Sequence, residues 1–221
     1  MRGKLIVFEG IEGSGKTTQI QYLRQWLDQT FVNGKPADYP TGVIVTRQPG
    51  GTSIGQKIRQ VLLQPATGTE ILTSTSELLL YAADRAQHVE RILKPALETG
   101  HLVLCDRYTA STVAYQGYGR QLDRTLIKTL NTLATGGLAS DLTLWLKLDV
   151  ATGLKRIAGR GQADRIEQAS IDFHRRVHEG FAAQAKGQDR FITVDGSLDQ
   201  ERVAEQIQAV VSTYLQQWYD L

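Results

Sequence analysis

The sequence predicts an α/β fold: a five-stranded parallel sheet flanked by helices on both faces. Three observations carry the prediction. Short apolar runs alternate with segments of helical apolar spacing, as βαβ units require. A glycine-rich octet directly follows the first apolar run, where a strand should turn into a helix. The charge-bearing motifs fall at strand ends, and right-handed crossovers gather those ends on the edge where open α/β sheets bind ligands. At 221 residues the chain suits one domain, 1–221, with no interdomain linker and no internal repeat. Its 41% apolar content and length support a core that needs no covalent staple.

The first strand is read at Leu5–Glu9, where Leu5-Ile6-Val7-Phe8 is uniformly apolar. The octet Gly10-Ile11-Glu12-Gly13-Ser14-Gly15-Lys16-Thr17 then matches the phosphate-loop pattern G-x-x-x-x-G-K-[ST], so a P-loop NTPase that binds ATP is expected. Gly13 and Gly15 let the backbone curl, turning consecutive N–H groups toward phosphate oxygens at the positive end of a helix. Lys16 can reach the β- and γ-phosphates, and the Thr17 hydroxyl can sit on Mg²⁺. Thr18 continues into a helix over about 16–29. Asn33-Gly34, Lys35-Pro36 and Tyr39-Pro40 mark a surface loop before the second strand, Val43–Thr46. That strand ends in Thr46-Arg47-Gln48-Pro49-Gly50-Gly51-Thr52. Two readings stand there: a turn bringing backbone and Arg47 to a phosphate, or a solvated turn with an incidental arginine.

Helices are expected over 53–63 and 75–98, joined by the polar connection Gln64–Thr75. Tyr81 and Arg85 are four apart and share a helix face. They suit a ring stacked on a nucleobase beside a guanidinium on its carbonyl edge. The alternative is a packed ring with Arg85 paired to Asp84 or Glu77. The third strand, Leu102–Cys105, leads into Asp106-Arg107-Tyr108, where Asp106 lies like a Walker B acid able to hold Mg²⁺ through water. Arg107 expects a phosphate or carboxylate partner. Ser111, Thr112, Tyr115 and Gln116 follow on a helical turn facing the same cleft, and Gly117, Gly119 and Arg120 read as a mobile stretch. A helix over 122–134, a strand at Leu142–Leu148 and a helix over 151–159 come next. The basic segment at about 156–168, with Arg156, Arg160 and Arg165 and hinges at Gly159 and Gly161, reads either as a lid over the transferring group or as a solvated loop. A helix over 168–186, a strand at Phe191–Val194 and a helix over 199–218 complete the chain.

The bulk numbers narrow the function. A net charge of +2 gives no case for nucleic acid or a membrane surface as partner. No apolar stretch approaches the ~18 residues of a membrane span, and the first strand begins almost at once, so a cytoplasmic location is the expectation. Cys105 is the single cysteine, which rules out an intramolecular disulfide and reads as a small buried thiol. The four histidines show no metal-ligand spacing and are assigned no function.

Together these motifs resemble the bacterial thymidylate kinases, members of the nucleoside monophosphate kinase family, over nearly the whole chain. The specific elements are Tyr81-Ala82-Ala83-Asp84-Arg85, Asp106-Arg107-Tyr108 with Ser111 through Gly117, and Asp164-Arg165-Ile166-Glu167. The resemblance implies phosphorylation of dTMP to dTDP with MgATP, and a homodimer packed through helices that include the long third one. By the same resemblance, Glu12 lies near the acceptor's 3′-hydroxyl, and Arg47 and Arg107 grip its phosphate. Tyr81 stacks on thymine, and Arg85 bonds a thymine carbonyl. Ser111 or Thr112 reads the base edge with Gln116 nearby, and Tyr115 crowds the 2′ position. Arg160, with Arg156 or Arg165, stabilises the transition state. Family members with an arginine inside the phosphate loop lack basic lid residues; here Gly13 takes that position and the lid is basic. Two departures are visible: Gln48 stands where most bacterial relatives have glutamate, and Tyr81 where they have phenylalanine. The nearest rival reading is a nucleotide or deoxynucleoside kinase with another acceptor. A P-loop switch is the rival from another class, against which the chain has no Asn-Lys-x-Asp motif.

Overall fold

The computed structural model describes residues 1–32, 40–65, 71–159 and 163–219. Five strands form one sheet: β1 (Lys4–Glu9), β2 (Val43–Arg47), β3 (Leu102–Asp106), β4 (Leu142–Lys147) and β5 (Phe191–Asp195). Their spatial order is β2-β3-β1-β4-β5, with every pairing parallel. The central strands β1, β3 and β4 are buried over nearly their whole length, covered on both faces, whereas the edge strands β2 and β5 carry several half-buried and exposed positions. Register puts Phe8 and Arg47 both opposite Asp106, so β1, β2 and β3 end level with one another. The phosphate loop, the turn after β2 and the Asp106-Arg107-Tyr108 turn therefore share one edge.

Side chains alternate across β1, Ile6 and Phe8 to one face and Leu5 and Val7 to the other. The first face is covered by α1 (Lys16–Val32) and α9 (Gln200–Tyr219), through Ile20, Leu23 and Leu27 and through Val203, Ile207, Val211 and Leu215. On the second, Val89, Leu93, Ala96 and Leu97 pack on Leu5, Val7, Val103 and Cys105. These four belong to the end of the long helix expected at 75–98. It is continuous but not uniform: α3 (Ser74–His88) passes through a π-helical turn (Val89–Leu93) into α4 (Lys94–Glu98).

Polar side chains cap several helices at their N-termini. Thr52 caps α2 (Ser53–Leu63), Thr73 caps α3, and Asp123 caps α6 (Arg124–Thr135), which ends at Gly136 with φ 57°. Asp149 and Ser170 cap α7 (Val150–Ile157) and α8 (Ile171–Ala185). After β3 the chain forms a short α5 (Thr109–Thr112) and a π-helical segment, Val113–Gly119. The stretch read as mobile is helical and packed, with Gly117 and Gly119 buried. A Cβ on Gly119 would lie 2.6 Å from the Phe173 ring, and one on Gly180 would lie 2.9 Å from Ala114 Cα. Two missing side chains thus let α8 press directly on this segment. No helix among the described residues is long and apolar enough to cross a membrane.

Candidate active site

The loop after β1 adopts backbone that its glycines permit: φ is 73° at Gly13 and 91° at Gly15. Gly13 has a second requirement, because a Cβ there would lie 2.3 Å from the Gly153 carbonyl oxygen of α7. Lys16 folds back over the loop, its Nζ donating to the Gly10 and Ile11 carbonyls at 3.1 and 3.0 Å. Burial, followed by the Arg107 charge, pushes the Lys16 pKa down to about 8. Thr17 Oγ1 donates to Asp106 Oδ2 at 3.4 Å, while the buried Asp106 Oδ1 has no hydrogen-bond partner among the described residues. A bare carboxylate oxygen beside a hydroxyl and a phosphate loop fits Mg²⁺, which takes few protein oxygens and completes its shell with phosphate and water.

Arg107 holds a left-handed backbone (φ 70°) at the end of β3. Its Nη1 donates to Gly10 O at 2.9 Å and to Ser111 Oγ at 3.1 Å, and its Nη2 to Glu12 Oε1 at 3.0 Å. The Tyr115 hydroxyl donates to that same Glu12 oxygen at 2.7 Å, and the Tyr115 ring lies 4.9 Å from the guanidinium. Burial favours the neutral acid at Glu12, yet Arg107 and Lys16 hold its carboxyl below the usual range. The other Glu12 oxygen is buried and has no hydrogen bond to a described residue; His174 Nδ1 is 3.7 Å from it.

Sequence reasoning missed Glu9. Fully buried at the end of β1, it accepts from the Tyr108 and Ser111 amides at 2.9 and 3.1 Å and from Ser111 Oγ at 2.5 Å. Burial raises its pKa against those donors. An acid closing an all-apolar strand was the signal that could have found it. The Ser111 hydroxyl is thereby committed, donating to Glu9 and accepting from Arg107.

At the far end, Arg85 is buried inside a cage of neutral oxygens. Its Nε donates to Gln48 Oε1 at 3.0 Å, Nη1 to Thr112 Oγ1 at 2.8 Å and Asn131 Oδ1 at 3.0 Å, and Nη2 to Tyr108 O at 2.9 Å. Neither acid offered as its alternative partner pairs with it. Asp84 accepts from Gly50 N at 2.9 Å, and Glu77 takes Gln116 Nε2 at 2.7 Å together with Arg120 and Arg165. The Pro-Gly-Gly turn packs on α3: a Cβ on Gly51 would lie 2.5 Å from the His88 ring. Tyr81 is half-buried, and burial raises its hydroxyl pKa.

Arg156 and Arg165, both expected to act from a lid, diverge. Arg156 Nη1 reaches Gly13 O at 3.4 Å and Gly196 O at 3.2 Å, beside the phosphate loop. Arg165 bonds Leu62 O at 2.8 Å and Glu77 Oε2 at 2.6 Å, tying the segment to α2 and α3 rather than to the loop. Arg160 lies outside the described residues, as does Gly161.

One cleft of about 310 Å³ joins these groups. Among the described residues, it is lined by every one expected at the site except Gly10, Ile11, Ser14, Arg156 and Arg165. Arg47 stands exposed at its wall with no hydrogen bond or ion pair to a described residue. Arg59, which sequence reading passed over, lines it too and donates to Pro49 O at 3.2 Å. Burial and the nearby Arg47 charge lower the Arg59 pKa. An arginine amid the polar positions of an amphipathic helix carries no distinguishing pattern.

A family model described as thymidylate kinase matches residues 8–207. A thymidylate kinase of Trichodesmium erythraeum is 53% identical over 99% of both chains. One of Nostoc punctiforme is 53% identical over 97% of this chain and 98% of its own. The crystal structure of thymidylate kinase from Ehrlichia chaffeensis superposes with a TM-score of 0.73, at 32% identity, over 96% of this chain and 100% of that one. By sequence over nearly its full length, and by fold, the chain belongs to the thymidylate kinase family.

Proposed function

We propose that this chain transfers the γ-phosphoryl group of MgATP to dTMP, giving dTDP and ADP. One observation carries the reading: a single cleft is lined by the phosphate loop, by the cations Arg47, Arg59 and Arg107, and by the aromatic and guanidinium pair Tyr81 and Arg85. That set of groups suits the phosphates of a donor triphosphate together with a pyrimidine monophosphate. An oxygen of the acceptor phosphate attacks the γ-phosphorus, the bond to the β–γ bridging oxygen breaks, and ADP leaves. The attacking oxygen is already ionised, so positioning and charge neutralisation suffice. Lys16 and the loop amides hold the ATP phosphates. Arg47, Arg59 and Arg107 orient the acceptor phosphate, and Glu12 fixes Arg107 while facing the sugar. Tyr81 stacks on the base, and Arg85 takes its carbonyl edge. Thr17 and Asp106 would hold Mg²⁺, which neutralises charge on the β- and γ-phosphates when bound. The segment at about 156–168 acts as the lid; Arg156 adds charge at Gly13 and Arg160 belongs to the same segment, while the pairing of Arg165 with Glu77 supports an anchoring role for that arginine.

A homodimer is part of the reading. Ile54, Val61, Leu79, Leu126 and Leu133 stand exposed on α2, α3 and α6, an apolar surface a second copy would cover.

The test is coupled ADP release with MgATP and each of dTMP, dUMP, UMP, dCMP, AMP and GMP, alongside ATP alone. A preference for dTMP is expected. A different preferred monophosphate would overturn the base assignment, and acceptor-independent hydrolysis at a comparable rate would overturn the kinase reading.

A further inference from the structure

Arg85 is 2% exposed, and no carboxylate of a described residue lies within ion-pair distance of it. A buried guanidinium normally has a charged partner. Here its described acceptors are an amide, a hydroxyl, a second amide and a backbone carbonyl, all neutral. Four of its five N–H bonds are thereby taken; the second hydrogen of Nη2 is left for what enters the cleft, with the Glu9 and Asp84 carboxylates acting on the guanidinium only from beyond ion-pair distance.

The amide that takes its Nε is itself oriented by a chain of hydrogen bonds. Arg85 Nε can only donate, so Gln48 must turn its oxygen toward it. The Gln48 NH₂ then faces His88 Nδ1 at 2.8 Å and must donate. His88 Nδ1 therefore accepts, which puts the ring proton on Nε2, directed at Thr46 Oγ1 at 2.6 Å. A doubly protonated ring would place two donors face to face. Burial, with the nearby Arg85 charge, pushes the His88 pKa down to about 4, so the ring is neutral at working pH. Gly51 makes room for the ring, since a Cβ there would meet it at 2.5 Å. Thr46, His88, Gln48 and Arg85 thus form one directed relay from the end of β2 to the cleft wall.

We propose that Gln48 and His88 are positioning residues for nucleobase selectivity: the neutral His88 ring fixes the Gln48 amide, which clamps Arg85 by its Nε so that its remaining N–H faces the carbonyl edge of a pyrimidine base. The inference rests on the assignment of Arg85 to the base edge. It gives the amide at position 48 a function an acid would perform differently, because a carboxylate would neutralise Arg85 and withdraw the donor that His88 Nδ1 requires.

Steady-state kinetics on the full chain with MgATP tests this, using dTMP, which offers a carbonyl at the base edge, and dCMP, which offers an amine. Gln48→Met keeps the bulk and loses both hydrogen bonds; His88→Phe keeps the ring and loses both nitrogens. Each is expected to raise KM for dTMP about tenfold, the scale of one lost hydrogen bond to a charged group, with KM for ATP unchanged. The dTMP-to-dCMP ratio of kcat/KM should fall with it. His88→Asn keeps an acceptor near Nδ1 and should restore most of the ratio, a rescue that a packing role for the ring would not give. Thermal melts and the ATP KM establish folding; if His88→Phe does not fold, Gln48→Met decides. Arg85→Lys separates the two levels. If it collapses the ratio while Gln48→Met and a folded His88→Phe keep theirs within about twofold of the native value, the positioning role is overturned and the base assignment stands. If Arg85→Lys itself leaves the ratio unchanged, the base assignment falls and the proposal with it.

Discussion

Lys16 is the residue on which charge and burial compete most directly. A phosphate-loop lysine works as a cation, yet burial brings its pKa to about 8, within reach of ordinary buffers. Below that value it is charged and attracts a triphosphate fully; above it the attraction is lost unless binding restores the proton. MgATP binding is therefore expected to take up a fraction of a proton at pH 8–8.5 and almost none near pH 6.5, with affinity falling as pH rises through about 8. Calorimetric titration in buffers of different ionisation enthalpy measures both; a flat affinity with no proton uptake would refute the assignment. Gly13, Gly15 and Lys16 were legible in the sequence because a phosphate loop dictates residue types at fixed spacing. Arg59 was not, because what makes it part of the site lies across the cleft; the acid closing β1 was a visible signal, but its role follows only from the Tyr108 and Ser111 amides set against it.

At the scale of elements, the contact between α8 and the π-helical segment Val113–Gly119 positions Tyr115, and through it Glu12 and Arg107. Gly180 closes that contact against the backbone of Ala114. Alanine is the better helix former, so propensity alone would favour Gly180→Ala. A Cβ 2.9 Å from a main-chain carbon has nowhere to go, so packing decides. Gly180→Ala is expected to destabilise by about 1–3 kcal/mol, a fall in Tm of about 3–10 °C at this chain length, with a higher KM for dTMP. Calorimetry reads the first and kinetics the second; an unchanged or raised Tm would show that the helices separate without cost. The strands were legible to within one residue at each end because apolar runs bounded by turn residues are a local signal. The π-helical segment was not, since its glycines read as mobility until α8 was seen against them.

At the scale of the molecule, the exposed leucines of α3 and α6 mark the surface assigned to a second copy, Leu133 being 77% exposed. Analytical ultracentrifugation is expected to give about twice the 24.5 kDa chain mass. Leu79→Glu or Leu133→Glu should shift it to the monomer, because a buried unpaired carboxylate opposes association. A native chain that sediments as a monomer at micromolar concentration would refute the dimer.

By itself the sequence determined the parallel α/β class, the extent of the strands, the phosphate loop and most residues around one cleft. Each of these rests on local patterning: apolar strand runs, turn residues, and motif residues that a parallel sheet delivers to a single edge. Tertiary structure alone decided the partners. Which of Asp84, Glu77 and Gln48 meets Arg85, whether Arg165 faces the phosphates or Glu77, and how His88 and Glu9 join the site depend on contacts between residues far apart in the chain. Burial then sets the strength and protonation of those contacts, and burial is a property of the packed molecule.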